Sequence, residues 1–324
     1  MKLVLMTTGG LVAILAIYAC ADDGEWTKVT TPYKIGPVND LRTGYDFSDQ
    51  HYIFAATGTD GQTGKLWRSA NEGVEWENIT FVHDPGYYFY RIAIEQDDFN
   101  EGWLLVRGPN DLQAGPYKTT DRGNTWERKV AGLTGSLQFT ALAARSVEGN
   151  LTNVFIGRTA SAAEAKVFRW EDDHWVQASS GLPLDEEGTV YDLDISPFNA
   201  LRIVCAYEGG VGHSGIYVSN DGGFSWVRTD FTGGGGSAIQ AKIHPDPTDP
   251  NYVTVGEKNP MYGRLWGIKP GHPPYQTIPD YLPPDWLDCP DIEAYTRGDC
   301  AANYFAFSIP DNTGTDWTVA SRFG

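Results

Sequence analysis

The chain has little of the chemistry on which metal centres and nucleic-acid interfaces depend. It contains 4 cysteines and 6 histidines in 324 residues, and no pair of them has the close spacing of a zinc site. Its 24 Lys and Arg against 42 Asp and Glu give a formal net charge of −18. This acidic excess disfavours phosphate backbones and anionic membrane surfaces, which need clustered basic residues. We therefore expect no metal, no cofactor and no nucleic-acid partner.

Sustained helical periodicity is also missing after residue 20. Instead, 37 Gly and 19 Pro separate short apolar runs, as in proteins built of strands and turns. The acidic runs Asp172-Asp173 and Asp185-Glu186-Glu187 lack the spaced oxygen donors of a calcium loop. The composition therefore predicts one large all-β domain.

One eight-residue phrase occurs three times, at 69–76, 119–126 and 219–226, and we call these the three repeated turns. Each has a hydroxyl residue, then Asp or Asn, then Gly, then Trp at fixed spacing. The Asp or Asn side chain is expected to accept hydrogen bonds from nearby backbone N–H groups, and Gly allows a positive φ. The Trp should start a strand and bury its ring under the turn. The residues are Ser69, Asn71, Gly73, Trp76, Thr119, Asp121, Gly123, Trp126, Ser219, Asp221, Gly223 and Trp226.

The three repeated turns resemble the Asp-box, or BNR repeat, which joins the third and fourth strands of a β-propeller blade. The resemblance implies a β-propeller fold and a structural role for the turns, which lie on the rim in that family. Around them, five longer segments repeat with a period of about 40–50 residues and four strands each. The segments are Val38–Phe81, Tyr88–Leu133, Leu137–Leu182, Val190–Phe231 and Ala238–Trp286. Trp175 keeps its place in the third segment although the box is lost, and the fifth segment has no recognisable box.

The two ends of the chain bear on blade number. Phe305–Pro310 and Trp317–Ser321 match the first two strands of a blade, and Glu25–Val29 resembles an isolated fourth strand that could complete that blade, whose third strand is missing. This interpretation predicts five complete blades and a partial sixth, in a propeller truncated at its C-terminus. The alternative takes Asn312–Trp317 as a degenerate box that ends the sixth blade.

Residues 1–21 are predicted to be an export signal, followed by the propeller at 22–324. Leu11–Ile17 is a short apolar core, and Ile17-Tyr18-Ala19-Cys20 resembles a bacterial lipobox that would lipidate Cys20. An ordinary signal-peptidase site at Ala19–Ala21 and an uncleaved anchor remain as alternatives. All three export the domain as a membrane-anchored lipoprotein or a secreted protein, with membrane contact only through this N-terminus. In that oxidising compartment Cys289 and Cys300 are expected to form a disulfide, and Cys205 to be a buried apolar residue.

The resemblance does not extend to the sialidase catalytic motifs. Arg-Ile-Pro is absent, and the nearest sequence, Arg91-Ile92-Ala93, falls in the second segment. Propeller glycosidases that cleave xyloglucan need two carboxylates facing across a cleft, and this chain has one propeller. We therefore expect a noncatalytic exported binding propeller with a protein or glycan partner. The alternative is a glycan-active hydrolase of sialidase-like type.

The ends of the second strands supply the candidate ligand site. Aligning them makes six positions equivalent, before a loop that opens on the ligand face of propellers. Arg107, Arg158 and Arg322 could converge there on a carboxylate or sulfate, with Glu208 and Glu257 one residue further on. The alternative is a neutralised network of the same charges. The aligned residues are Thr57, Arg107, Arg158, Tyr207, Gly256 and Arg322.

Overall fold

The computed structural model describes side chains at 38–42, 52–71, 73–94, 100–145, 153–196, 199–210, 212–229 and at Val253, and further strands by their backbone. The described chain consists of β-strands and their connections, without a helix. It accordingly has no helix long and apolar enough to cross a membrane in that part.

The N-terminal strands form a small sheet. Lys2–Thr8 (β1) pairs antiparallel with Leu11–Ile17 (β2), and Trp26–Val29 (β3) pairs parallel with β1. The sequence interpretation used this last strand to complete the sixth blade, and in the structure its partner is β1, with Leu3 opposite Trp26. Short strand patterns specify a strand without specifying its neighbour, because pairing depends on distant residues.

Five segments of four strands follow, and each lies inside its predicted range except that the fourth begins two residues earlier, at Gly188, and the fifth one residue earlier, at Ser237. They are β4 Val38–Tyr45, β5 His51–Thr57, β6 Leu66–Ser69, β7 Glu77–Asn78; β8 Tyr88–Ile94, β9 Gly102–Arg107, β10 Gly115–Thr119, β11 Glu127–Arg128; β12 Phe139–Val147, β13 Asn150–Ala160, β14 Val167–Glu171, β15 His174–Gln177; β16 Gly188–Ile195, β17 Ile203–Glu208, β18 Gly215–Ser219, β19 Val227–Arg228; and β20 Ser237–Ile243, β21 Val253–Asn259, β22 Tyr262–Ile268, β23 Tyr275–Gln276.

Strands follow chain order within each segment, and neighbouring strands are antiparallel. In one larger sheet the order is β15-β14-β13-β16-β17-β18-β19, with β12 beside β13. The last described strands, Ile292–Tyr295 (β24) and Tyr304–Phe307 (β25), pair antiparallel. Trp317–Ser321 and Asn312–Trp317 lie outside the described residues, so the number of blades stays a prediction.

The chain divides into two compact units. The first comprises Met1–Thr152 and Asp172–Trp175, and the second comprises Asn153–Glu171 and Val176–Gly324. In each unit most of the described residues of the second strands are buried. In β9, Trp103, Leu104, Leu105 and Val106 are all at most 1% exposed. Such continuous apolar strands result when both faces of a sheet are covered, and each buried side chain contributes about 1.5–3 kcal/mol.

The three repeated turns fold alike, as the third turn illustrates. Ser219 Oγ accepts the N–H of Gly223 at 2.8 Å, and Asp221 Oδ1 accepts the N–H of Ser225 at 2.9 Å. Gly223 has a φ of 84°, where a side chain would be strained. The same contacts recur in the other two turns. The predicted turn chemistry is therefore confirmed in all three copies.

The tryptophans of the turns divide into two kinds. Trp76 and Trp126 are half-buried, and their indole N–H groups donate to Gly73 and Gly123 inside their own turns. Trp226 is 3% exposed and donates instead to Ala178 of the preceding segment, at 2.7 Å. The expected burial of the ring beneath the turn is thus complete at Trp226 alone among these three.

The third segment replaces its lost turn by a two-residue hairpin. Asp172 and Asp173 have φ values of 46° and 63°, as the central residues of a type I′ turn require. Trp175 is kept at the start of β15, is 1% exposed, and donates its indole N–H to Lys129 at 2.8 Å. The acidic pair is thus a turn, and the described residues contain no group of three or more potential metal ligands.

Candidate functional site

Each four-strand segment has two ends with different loops. The repeated turns lie at one end, which we call the turn end. The connection from the second to the third strand and the connection to the next segment lie at the other, which we call the loop end. In the first unit the backbone N–H of Gly64 donates to Tyr87 at 2.8 Å, which joins these two kinds of connection. The candidate ligand residues of the sequence analysis belong to the loop end.

A β-bulge recurs near the loop end of the first strand. The register shifts by one residue between Val38 and Asp40, between Phe89 and Arg91, between Val190 and Asp192, and between Ala238 and Gln240. Bulges turn a strand and redirect side chains, often beside functional sites. The extra residues are Asn39, Tyr90, Tyr191 and Ile239.

The sequence analysis missed these bulges, although a signal exists. Apolar residues on one face of a strand normally recur every second position. At Val38 and Leu41, and again at Phe89 and Ile92, two residues intervene instead of one. This extra residue marks the bulge in the sequence.

The observed register corrects the alignment of the second-strand ends. The residues opposite the last position before each bulge are Thr57, Val106, Tyr207 and Glu257. Arg107 therefore corresponds to Glu208, and Gly256 precedes the aligned position. The predicted alignment was one residue out in the second and fifth segments. Because side chains alternate between the two faces of a strand, one residue changes the face on which a side chain lies.

Arg158 lies at the aligned position but is buried. Its backbone N–H donates to Lys166 at 3.0 Å, as that of Thr57 donates to Lys65. The side chain is 1% exposed, donates from Nε to Ala165 at 3.0 Å, and has its guanidinium carbon 5.1 Å from the centre of the Phe168 ring. The expectation of a solvent-facing Arg158 is therefore wrong, since the residue belongs to the interior of the second unit.

Arg107 is half-buried and lies against two tyrosines in the first unit. Its guanidinium carbon is 4.8 Å from the centre of the Tyr90 ring and 6.0 Å from that of Tyr88. Arg91 lies 4.5 Å from the same Tyr90 ring. Burial raises the pKa of Tyr88, with Arg107 opposing the shift and Asp60 adding to it. The site thus combines two arginines with aromatic rings on one bulged strand pair.

Tyr207 and Glu208 lie in the second unit. Tyr207 is fully buried, and burial raises the pKa of its phenol above its usual range, with Glu186 adding to the shift. Glu208 accepts a hydrogen bond from the hydroxyl of the bulge residue Tyr191 at 2.6 Å. The side chain of Glu257 and all of Arg322 lie outside the described residues, so the structure does not place these two candidates.

A second polar cluster of this unit surrounds Glu186. His213 Nδ1 lies 3.0 Å from its Oε2, and Lys166 Nζ donates to its backbone carbonyl at 2.9 Å. Burial lowers the pKa of Lys166. An added Cβ at Gly209 or Gly210 would come within 2.2 or 2.3 Å of the carboxylate oxygens. Glu186, in the connection before β16, therefore packs against Gly209, Gly210 and His213 of the connection before β18.

Comparison by sequence gives limited likeness to known proteins. No protein-family model matches the chain. Over 135 residues, 35% of this chain, it is 27% identical to xyloglucanase Xgh74A of Acetivibrio thermocellus. The match spans 16% of that enzyme, far less than the curated relative's whole length.

Comparison by structure is more extensive. The GH74 xyloglucanase from Xanthomonas campestris has a TM-score of 0.55 and 14% identity, covering 90% of this chain and 47% of that one. The fucose-specific lectin from Aleuria aurantia has a TM-score of 0.52 and 10% identity, covering 88% and 97%. YCF48 bound to D1 peptide has a TM-score of 0.50 and 16% identity, covering 90% and 86%. The chain therefore has an all-β fold of the β-propeller class.

Proposed function

We propose that this chain is an exported, noncatalytic binding propeller that binds a glycan or a protein at its loop end. The observation that carries the proposal is the group of Tyr90, Arg91 and Arg107 beside the bulge of β8, where the rings and guanidinium groups are half-buried. Aromatic and arginine side chains of this kind supply much of the binding energy at recognition surfaces. Propellers of similar fold include a fucose-specific lectin and a peptide-bound YCF48, which supports both classes of ligand.

The second candidate is a glycan-active hydrolase, which the match to xyloglucanase Xgh74A favours. Three of the described residues do not fit the roles that a hydrolase requires. Asp121 and Asp221 have a lowered pKa and serve turns, whereas a general acid needs a raised one. The raised pKa of Tyr207 keeps its phenol protonated, the opposite of what a nucleophile requires.

The three repeated turns are proposed to be Asp-boxes that stabilise the segments and take no part in binding. Their hydroxyl, Asp or Asn, and Gly residues are already engaged with one another. Each also lies at the turn end of its own segment, whereas the group around Tyr90 lies at the loop end of the second segment. We therefore propose that ligands bind at the loop end and that the turn end stabilises the segments.

Export is the other part of the proposal. The signal at 1–21, lipidation of Cys20 and a disulfide between Cys289 and Cys300 lie outside the described side chains. Mass spectrometry of the protein from a bacterial host should find a lipid on Cys20, and Cys20→Ser should release the protein from membranes. An unmodified mature N-terminus at Asp22 would instead indicate that the protein is secreted and carries no lipid.

The binding function is tested by screening the purified protein against immobilised glycans and peptides, with xyloglucan and fluorogenic glycosides as hydrolysis substrates. We expect binding without release of product. Tyr90→Ala should abolish binding, whereas Phe224→Ala, which removes an exposed ring at the turn end, should not. Turnover of any glycan would instead support the hydrolase.

A further inference from the structure

The group around Tyr90 concentrates positive charge in an acidic protein. Arg91 follows the bulge on β8, and Arg107 is paired across the ladder with Tyr88. Tyr88 and Tyr90 meet edge to face, with ring centres 6.2 Å apart. Because these residues belong to paired strands, their positions are fixed by the sheet and do not depend on a mobile loop.

Arg107 differs from other arginines of the first unit in its partners. Arg42 and Arg68 form ion pairs with Asp40 and Glu77. The Arg107 side chain makes no hydrogen bond or ion pair with any residue that the structure describes, and its buried Nε has no acceptor there. A buried donor without an acceptor loses its hydrogen bonds to water and gains none from the protein, which is unfavourable. An anion arriving at this guanidinium would supply the missing acceptor.

We infer that Tyr90, Arg91 and Arg107 bind the carboxylate of a uronic acid in an acidic glycan. The inference rests on the proposed binding function and names its ligand class. A guanidinium matches a planar carboxylate with two parallel hydrogen bonds, and the tyrosine rings offer apolar surface to a sugar ring.

The charge of the whole chain favours a glycan over an acidic peptide. A net charge of −18 repels a densely acidic segment. An acidic glycan separates its carboxylates by neutral parts of the sugar rings, so a single carboxylate reaches Arg107 with less repulsion.

The test is calorimetric titration of the purified protein with trigalacturonic acid and with its methyl ester. Arg107→Gln should weaken binding of the acid by roughly ten- to hundredfold, because a charge-assisted pair is lost, and should leave the ester unaffected. The ester should bind the unsubstituted protein as weakly as Arg107→Gln binds the acid. Arg107→Lys, which keeps the charge without the planar fork, should bind with intermediate affinity.

Lys118→Gln is the matched control. It removes the same charge from the same sheet, and Lys118 Nζ pairs with Glu101, 3.1 Å away near the turn end. Binding of the acid should then change by less than about twofold, since Lys118 is already paired with Glu101 and a charge at the far end of the sheet is screened from the ligand. Thermal denaturation of each variant distinguishes weaker binding from unfolding, and Arg107→Lys serves if Arg107→Gln does not fold.

Three outcomes would overturn the inference in different ways. Equal binding of acid and ester, or an unchanged Arg107→Gln, rejects the carboxylate site and leaves the binding function standing. Tighter binding of hexa-aspartate than of trigalacturonic acid rejects the glycan in favour of a peptide. Failure to bind any glycan or peptide in the wider screen rejects the proposed function itself.

Discussion

The indole N–H of Trp226 donates to the backbone carbonyl of Ala178, 48 residues earlier, at 2.7 Å. The backbone N–H of Trp226 donates to Ser180 at 2.8 Å. One residue of the fourth segment is thus bonded twice to the connection that precedes that segment. Trp175 makes the equivalent pair of bonds to Lys129 and Ala131. This arrangement couples successive segments and leads to the first two predictions.

Replacing Trp226 by Ala should lower the free energy of unfolding by about 3–5 kcal/mol, because a buried ring and its hydrogen bond are lost. Trp76→Ala is the control, since Trp76 is half-buried and its indole N–H donates inside its own turn. It should cost about 1 kcal/mol. Urea denaturation measures both, and equal losses would contradict the coupling of segments through Trp226.

Gly181→Ala should be strongly destabilising. Gly181 has a φ of 91°, and an added Cβ would lie 2.1 Å from the Trp226 carbonyl oxygen. Gly61 also has a positive φ, of 76°, but an added Cβ there meets nothing within 4 Å. Gly61→Ala should cost about 1–2 kcal/mol of backbone strain, and Gly181→Ala clearly more. Similar melting temperatures for the two variants would show that the backbone at Gly181 can move aside.

The ionisation of Asp221 should make the free energy of unfolding depend on pH in the acid range. Hydrogen bonds from Ser225 and Ser219 lower its pKa from 3.8 to about 2. A lowered pKa in the folded protein means that its contribution is present above pH 3.8 and lost as the pH falls towards 2. In Asp221→Asn the free energy of unfolding, measured by urea denaturation at several pH values, should therefore depend less on pH between about 4 and 2.

The first repeated turn shows that Asn can stand at the position of Asp221. Asn71 occupies the equivalent position and accepts the N–H of Glu75 at 2.8 Å, so an uncharged amide can form the turn. The variant should therefore fold at neutral pH. If the pH dependence of unfolding is the same in Asp221→Asn as in the unsubstituted protein, other carboxylates are responsible for it.

Arg169 should stabilise the third repeated turn. Its Nη1 donates to the Gly222 carbonyl at 2.9 Å, and its guanidinium carbon lies 4.0 Å from the centre of the Phe224 ring. Arg169→Met should cost about 1–2 kcal/mol. Lys118 holds the equivalent position before a segment without a repeated turn, and Lys118→Met should cost about 0–1 kcal/mol. Thermal denaturation compares the two, and an equal effect would contradict a specific role for Arg169.

Much of the fold could be predicted from the sequence because its signals are local. Ser219, Asp221 and Gly223 bond within one turn, so their spacing alone specifies its geometry. The second strands were found for a similar reason, since β-branched and aromatic residues bounded by turn residues form strands in many contexts. The loss of the turn before Trp175 was readable in the same way.

Only the tertiary structure decided which residues face a ligand. The bulge at Tyr90 shifts the pairing, so Arg107 comes to lie against Tyr90 and corresponds to Glu208. Arg158, one position earlier in the repeat, is buried beside Phe168. Both outcomes depend on partners in other strands, and a shift of one residue in pairing moves a side chain to the opposite face of the sheet. The sequence by itself determined the turns and the order of strands, because these are set within a few residues, whereas register and burial are set across the sheet.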